Sequence, residues 1–203
     1  MEGKLFYFKT DCNFTNRHLM AKVVFVNNNI LCYYDSRMFG TFHIFSSESS
    51  CFSSEILKKI AIDPLHKKFN EYFLFAKIKK SHKHIKSLLL DQTIVSGIGN
   101  IYADEILFMS KIHPLSEGRN IDISMCKKIV KYSKLILKKA IDNKGTTIFS
   151  YKYKKNNHGN YQKFLLVHSR SGEKCKICGT KILKLKINGR GTYFCPNCQK
   201  ILS

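Results

Sequence analysis

Four cysteines near the carboxyl end of the chain have the spacing of a metal site. They form two Cys-x-x-Cys pairs separated by sixteen residues: Cys175, Cys178, Cys195 and Cys198. Each pair can present two thiolates to one tetrahedral ion. The segment between the pairs alternates apolar and polar residues around Asn188-Gly189, which favours a β-hairpin. The pattern predicts a zinc ribbon with one structural Zn²⁺, because four sulfur ligands leave no open position for catalysis; two disulfides are the alternative.

A second candidate site precedes an apolar helix in the middle of the chain. Gly97 and Gly99 stand directly before Asn100 in the stretch SGIGNIYADEILF. Asn is a preferred N-cap residue, and Asp104 and Glu105 would then suit the positive end of the helix. Glycines let backbone N–H groups approach a ligand, and helix N-termini attract phosphate. We therefore predict a phosphate-binding turn here, with a plain helical hairpin as the alternative.

The chain is strongly basic. Lys and Arg total 35 against 14 Asp and Glu, which gives a formal net charge of +21. Such an excess favours a polyanionic partner, although the Lys-, Asn- and Ile-rich composition of an AT-rich genome would also produce it. The 44% apolar and 12% aromatic residues exclude a disordered basic tail. No apolar run could span a bilayer and no secretory leader is evident, so we expect a folded protein of a reducing compartment, cytoplasm or nucleus.

The elements that must hold these groups are segregated along the sequence. Residues 4–45 are rich in β-branched and aromatic side chains and indicate strands, with a turn at Asn27-Asn28-Asn29. Beyond about residue 55 the apolar period becomes helical, most clearly over 122–142. Residues 143–163 lack periodicity and indicate a long loop. The order of strands, helices, loop and ribbon predicts an α+β protein of separate modules, not a doubly wound sheet.

Several motifs, in colinear order, resemble the formamidopyrimidine-DNA glycosylase / endonuclease VIII family of base-excision repair enzymes. They are YDSRMFG at 34–40, SGIGNIYADEILF at 96–108 followed by IHP, KGTT at 144–147, VHSRSGEKC at 167–175, with His168 where Tyr is more usual, and GRGTYFCPNCQK at 189–200. The resemblance implies part of a β-sandwich catalytic domain in residues 1–54, a helix–two-turns–helix DNA-binding domain in 55–150 and an FPG-type zinc finger in 166–200.

The resemblance also implies that three residues occupy the space left by an everted nucleotide. Arg37 would fill the hole and bond the orphaned base, Met1 would fill part of the same void, and Phe39 would wedge into the base stack. A planar cation and an aromatic ring suit this work because unstacking costs a few kcal/mol. Without the resemblance, a salt-bridged turn and a core Phe would be the simpler interpretation of Arg37 and Phe39.

Four more residues are expected to contact the DNA. Arg190 lies beside the predicted hairpin turn, where a guanidinium can fork onto two phosphate oxygens. The matching Arg of the family grips the phosphates that flank the lesion and is assigned as a proton donor in δ-elimination; an exposed turn Arg is the alternative. Asn100 would hold a phosphate beside the lesion, and His18 would touch the DNA from a strand start. Lys86 would lie near the lesion or backbone, or on a solvated helix face.

The family's nucleophile is an N-terminal Pro whose amine attacks the sugar C1′, beside a Glu that handles protons. This chain begins Met1-Glu2-Gly3, which matches an internal Met-x-Gly of the family, so the Pro and its Glu are expected to be missing from it. Glu2 is not expected to replace that Glu.

Three functions are therefore weighed. The first is an endonuclease VIII-like DNA glycosylase that removes oxidised bases and cleaves the strand by β/δ-elimination, acting as a monomer on damaged duplex or single-stranded DNA. The second is a catalytically dead DNA-binding protein. The third is an RNA- or ribosome-associated zinc-ribbon protein, which has no use for the motif at 34–40.

Overall fold

The computed structural model describes residues 3–9, 17–146 and 159–202. The chain divides into two compact units, residues 1–52 and 53–203. Met1 and most of the loop predicted over 143–163 lie outside the described residues. The strands come first and the helices follow, so the predicted α+β class is confirmed.

The first unit is built on a three-stranded antiparallel sheet. Its strands are β1 (Lys4–Phe8), β2 (Leu19–Val24) and β3 (Ile30–Tyr34), in the order β1-β3-β2. The predicted turn joins β2 and β3 into a hairpin, and Asn28 takes the left-handed conformation in it, with φ of 60°. Asn tolerates this conformation better than most residues do. A short helix, α1 (Glu48–Phe52), ends the unit.

The second unit begins with a helical region whose centre is one apolar helix. Its helices are α2 (Glu55–Lys58), α3 (Glu71–Ile78), α4 (Ile85–Leu89), α5 (Asn100–Ser110) and α6 (Ile123–Asp142), with a 3₁₀ turn at Gly118–Asn120. Most of α5 is buried, and it packs against α4 and α6. Among the described residues, no helix has the length and apolar character needed to span a membrane.

The long helix α6 follows the predicted period closely. Asp122 caps it, accepting a hydrogen bond from the backbone N–H of Met125 at 2.8 Å. Its buried side chains recur every three or four residues: Cys126, Ile129, Val130, Ser133, Ile136 and Ala140. Lysines occupy the opposite face, as expected of a helix with one apolar stripe.

The described part of the chain ends in a two-stranded ribbon. After a 3₁₀ turn (Tyr161–Phe164) come β4 (Leu183–Ile187) and β5 (Arg190–Phe194), which pair antiparallel. Asn188 and Gly189 both have positive φ, 47° and 78°, as a type I′ hairpin turn requires. The predicted hairpin is therefore confirmed. Its small core contains Phe108 of α5, so the ribbon packs on that helix.

Candidate functional site

The four ribbon cysteines form a cluster that fits one zinc ion. Their sulfur atoms all lie within 4.8 Å of one another, with Cys175 and Cys198 at 3.9 Å and Cys178 and Cys195 at 3.4 Å. A tetrahedral Zn²⁺ with Zn–S bonds of about 2.3 Å needs sulfur separations of about 3.8 Å. All four thiols are free, which excludes the two-disulfide alternative. The predicted zinc ribbon is confirmed, and its closed ligand set makes the metal structural.

Asn100 and Arg190, predicted on separate modules, come together at the ribbon. The Asn100 Nδ2 donates to the carbonyl oxygen of Gly191 at 2.9 Å. Gly191 directly follows Arg190 and lies 91 positions after Asn100 in the sequence. An amide NH₂ carries two hydrogens, and Gly191 takes one of them. The N-cap assignment of Asn100 was wrong: Gly99 is the N-cap, with φ of −99° and ψ of 175°, and Asn100 is the first helical residue. Its side chain reaches the hairpin because it does not cap the helix.

The guanidinium of Arg190 is exposed and has no acidic partner among the described residues. The hairpin turn beside it is tied to helix α4, because Asn188 Nδ2 donates to Ser87 Oγ at 3.0 Å. The Arg190 side chain is therefore free for an anion, while the backbone that carries it is held in place.

Lys86 is buried, so the alternative that placed it on a solvated helix face is wrong, while its expected place near the lesion or the DNA backbone stays a prediction. Its side chain is 0% exposed, and its Nζ lies 2.7 Å from Asp104 Oδ1. This contact is an ion pair without the geometry of a hydrogen bond. The same ammonium donates to Gly191 O at 3.1 Å and to Thr192 Oγ1 at 2.8 Å. Burial lowers the pKa of Lys86, and the Asp104 charge opposes that shift. A group enclosed in this way cannot lie on a solvated face.

Asp104 is the centre of this polar cluster. It is 1% exposed, and its Oδ2 accepts from His168 Nδ1 at 2.7 Å and from the backbone N–H of Tyr193 at 3.2 Å. A carboxylate only accepts, so His168 carries a hydrogen on Nδ1. The expectation that Asp104 serves the helix dipole was wrong, because it lies beyond the first turn of α5. One carboxylate thus joins α4, strand β5 and the segment that leads into the ribbon.

Glu105 holds the backbone of the segment that leads into the ribbon, at residues 166–168. It is 1% exposed, and its two carboxylate oxygens accept from three consecutive backbone N–H groups: Leu166 at 2.8 Å, Val167 at 2.9 Å and His168 at 2.9 Å. Burial raises the pKa of Glu105 despite these hydrogen bonds. Sequence reasoning missed the docking role of both acids. The available signal was an Asp-Glu pair inside an otherwise apolar helix, because buried carboxylates need partners.

The two glycines of the predicted phosphate turn have different environments. Gly97 has φ of +84°, its N–H donates to Gln92 Oε1 at 2.8 Å, and a Cβ there would lie 3.3 Å from Asp63 Oδ2. At Gly99 a Cβ would meet nothing within 4 Å. Gly97 therefore shapes the turn, whereas Gly99 leaves the N-terminus of α5 open to an approaching group.

The motif at 34–40 in the first unit is a turn closed by one carboxylate. Asp35 accepts from the backbone N–H groups of Arg37 at 3.0 Å, Phe39 at 3.1 Å and Gly40 at 2.9 Å. These hydrogen bonds, that from Arg37 foremost, hold the pKa of Asp35 below its ordinary value. Gly40 is needed because any Cβ there would overlap the Tyr33 ring.

Three predicted DNA-contacting residues meet at this turn. The Arg37 guanidinium lies 4.8 Å from the ring centroid of Phe39, which is 72% exposed. The core alternative for Phe39 was therefore wrong, and Arg37 has no ion pair with a described residue. His18 is exposed, with φ of 67°, and its carbonyl accepts the Asp35 N–H at 3.0 Å. The first unit brings together His18, Arg37 and Phe39; the second brings together Lys86, Asn100 and Arg190.

A helix–two-turns–helix region docked on a four-cysteine ribbon defines a zinc-finger protein of one recognisable class. The formamidopyrimidine-DNA glycosylase H2TH domain matches residues 60–151, and the zinc finger found in FPG and IleRS matches residues 172–201. The chain is 51% identical over 199 residues to the formamidopyrimidine-DNA glycosylase of Ureaplasma parvum and 47% identical over 199 residues to that of Mycoplasma pneumoniae. Each alignment covers 98% of this chain and 72% of the relative.

Solved structures of proteins named Fpg or MutM also match this chain. The complex between the Lactococcus lactis Fpg and abasic-site DNA matches with a TM-score of 0.88, and MutM in complex with carbocyclic 8-oxo-G DNA matches with 0.86. Both are 38% identical to this chain and cover 98% of it, while it covers 72% of each. The chain belongs to the formamidopyrimidine-DNA glycosylase family, as its motifs predicted.

Proposed function

We propose that this chain binds DNA at a damaged or abasic nucleotide as a glycosylase of the formamidopyrimidine type. The observation that carries the proposal is the 2.9 Å hydrogen bond from Asn100 to Gly191, which joins helix α5 to the strand of Arg190. This bond places the Asn100 amide beside the backbone of the residue that follows Arg190. Arg190 lacks an acidic partner among the described residues, and Asn100 has one amide hydrogen left after Gly191. Donors of both kinds suit phosphate oxygens.

The first unit supports the same proposal from a different chemistry. The Phe39 ring is 72% exposed, and the Arg37 guanidinium lies 4.8 Å from its centroid, so both groups are accessible to a partner. Phe39 suits insertion between base steps, and Arg37 suits hydrogen bonding to a base left without its partner. Opening a duplex costs a few kcal/mol, so a wedge and a plug are needed to hold it open.

The proposed activity is removal of an oxidised base followed by strand cleavage by β/δ-elimination. The support is the family: the relatives are named formamidopyrimidine-DNA glycosylase, and solved neighbours are complexes with Fapy-dG, 8-oxo-G and abasic DNA. These names favour the formamidopyrimidine type over the endonuclease VIII-like type, and an enzyme over a catalytically dead protein. Arg190 is the residue proposed to assist phosphate loss in δ-elimination.

Binding to a duplex with one tetrahydrofuran abasic site tests the proposal. We expect tighter binding to this duplex than to its undamaged counterpart in fluorescence anisotropy. Arg190→Ala should weaken binding to all sequences and reduce the slope of log K against log salt by roughly one unit, since one phosphate contact is lost. Arg119→Ala is the matched control, because Arg119 already pairs with Glu117 at 2.7 Å.

Two results would overturn the proposed binding mode: equal affinity for abasic and undamaged duplex, or an unchanged salt slope in Arg190→Ala. Incision of an 8-oxoguanine duplex, with borohydride trapping of a Schiff base, separates cutting from binding. Because the family's N-terminal Pro is expected to be missing from this sequence, both assays are run on this chain and on a form extended upstream in the genomic reading frame. An adduct trapped with the extended form supports the glycosylase and lyase activity, and damage-specific binding without incision or adduct in both forms supports the catalytically dead alternative.

A further inference from the structure

Arg190 is followed on strand β5 by three residues that are all held by the buried polar cluster. Gly191 O accepts from Lys86 Nζ at 3.1 Å, and Thr192 Oγ1 accepts from the same ammonium at 2.8 Å. The Tyr193 N–H donates to Asp104 at 3.2 Å. We infer that Asp104 is a positioning residue, which sets the place of Arg190 against Asn100 through its contacts with Lys86, His168 and strand β5.

The Gly191 carbonyl couples the two proposed phosphate ligands. It accepts from Lys86 Nζ and from Asn100 Nδ2, so the Asn100 amide and the backbone beside Arg190 share one oxygen atom. Asp104 supplies the charge that keeps the Lys86 ammonium inside the protein, at 2.7 Å. Without that charge the buried ammonium has lost its counter-ion, and its hold on Gly191 and Thr192 weakens.

His168 adds a second fixed direction to the Asp104 carboxylate. Its Nδ1 lies 2.7 Å from Asp104 Oδ2, whereas Lys86 contacts the other carboxylate oxygen, Oδ1. The His168 ring also packs edge-on against Tyr193, with ring centroids 4.8 Å apart. Both carboxylate oxygens are therefore engaged by side chains that are themselves buried. A carboxylate held in this way has one orientation, and so does the strand that bonds to it.

Glu105 provides the internal contrast. It is equally buried and stands next to Asp104, but its partners are the backbone N–H groups of residues 166–168. Glu105 thus fixes the segment that leads into the ribbon, through residues 166–168, whereas Asp104 accepts a hydrogen bond from Tyr193 on the strand of Arg190 itself. Loss of either acid should disturb ribbon docking, but only loss of Asp104 should act through Arg190.

A double-mutant cycle tests this inference, which rests on the proposed function. Abasic-duplex binding is measured for Asp104→Asn, Arg190→Ala and the double variant, and likewise for Glu105→Gln with Arg190→Ala. We expect Asp104→Asn to weaken binding roughly tenfold, a size usual for coupled contacting residues. That loss should nearly vanish when Arg190 is already Ala, whereas the Glu105→Gln loss should simply add to that of Arg190→Ala.

A second variant guards against a folding defect. His168→Phe removes one partner of Asp104 but leaves its ion pair with Lys86, so it should fold and show a smaller loss with the same dependence on Arg190. Zinc content and amide exchange at Gly191, Thr192 and Tyr193 accompany each measurement, and faster exchange in Asp104→Asn with zinc retained is the expected result. Additive losses of Asp104→Asn and Arg190→Ala would overturn the positioning role, while an Arg190→Ala variant that binds like the parent would instead overturn the proposed function.

Discussion

The two arginines proposed to contact DNA are positioned differently: Arg37 by hydrogen bonds local in sequence, and Arg190 by contacts between residues far apart in sequence. The turn that carries Arg37 is closed by Asp35 through backbone groups no more than five residues away. The strand that carries Arg190 is held by Lys86, Asn100 and Asp104, from 89 to 106 positions away in sequence. The first arrangement needs only a short peptide and the right residue types. The second exists only when helices and ribbon have folded and docked.

This difference has an energetic side. The Asp35 turn uses a carboxylate and backbone N–H groups, so its loss loosens a loop. The cluster that holds the strand of Arg190 contains Lys86, Asp104 and His168, and each of these buried groups is costly unless it is paired. Removing one member of the cluster should therefore destabilise the whole second unit, whereas a substitution in the Asp35 turn should change only the structure of that turn.

Of the changes considered, removal of zinc should have the largest effect on stability and DNA binding. It should unfold the ribbon but leave the turn at residues 35–40 intact. Structural zinc sites contribute about 10 kcal/mol or more to folding, so a chelator should unfold the ribbon, release Arg190 and abolish abasic-DNA binding. The turn at residues 35–40 is closed by its own hydrogen bonds to Asp35, so its amide resonances should stay in place. NMR spectra and anisotropy before and after chelation measure both. Normal DNA binding by the chelated protein would mean that the ribbon does not hold Arg190.

Lys86→Met comes next in expected size. It leaves the Asp104 carboxylate buried without its counter-ion, and breaking a buried pair by removing one partner typically costs 3–5 kcal/mol, which is roughly the loss in unfolding free energy expected here. Urea denaturation of the full chain measures it. A loss below about 1 kcal/mol would contradict the view that the cluster depends on paired charges.

The matched control is the double variant Lys86→Met with Asp104→Leu. Replacing a buried ion pair by apolar groups of similar size is often neutral, so this variant should recover part of the stability. The rest should stay lost, because His168 Nδ1 and the Tyr193 N–H no longer have the Asp104 acceptor. The double variant should not recover DNA affinity, because Gly191 and Thr192 remain without the Lys86 ammonium.

The same contrast explains what could be predicted from the sequence. The Cys-x-x-Cys pairs, the Asn188-Gly189 turn and the apolar period of α6 are local patterns, and the structure confirms each. The buried states of Lys86, Asp104 and Glu105 depend on partners far along the chain. Both acids were wrongly placed at the helix terminus, and the solvated-face alternative for Lys86 was wrong. A lysine in a helix has the same local sequence whether it faces water or a carboxylate.

Asn100 marks the boundary between the two cases. The sequence correctly placed Asn100 at the start of α5, but it predicted a cap because the cap is the local use of an Asn. The structure uses the side chain for Gly191, a contact across 91 positions that no local rule could supply.

The contrast can be sharpened inside the second unit by substituting its two turn glycines. Gly97→Ala should cost roughly 1–2 kcal/mol in unfolding free energy, because the residue has φ of +84°. Gly99→Ala has space and an ordinary φ of −99°, so only the poorer N-cap propensity of Ala counts and stability should fall by roughly 0.5 kcal/mol. Thermal unfolding and abasic-duplex binding measure the pair.

If DNA phosphate approaches the N-terminus of α5, Gly99→Ala should weaken binding although it barely changes stability, since the methyl group occupies the open approach. Equal binding by Gly99→Ala and the parent chain would show that the backbone there is not approached closely.

The smallest expected effect is a local one, the acid titration of the Asp35 turn. Backbone N–H groups hold the folded pKa of Asp35 below its ordinary value of 3.8, so the ionised carboxylate stabilises the turn. The stabilisation is complete above the unfolded pKa and is lost as the pH falls through the lower folded value. Amide shifts of Arg37, Phe39 and Gly40 should therefore move together below about pH 4, and Asp35→Asn, which cannot titrate, should abolish that common transition. If those amides moved only with the global acid unfolding of the chain, the turn would not be the self-contained device that distinguishes Arg37 from Arg190.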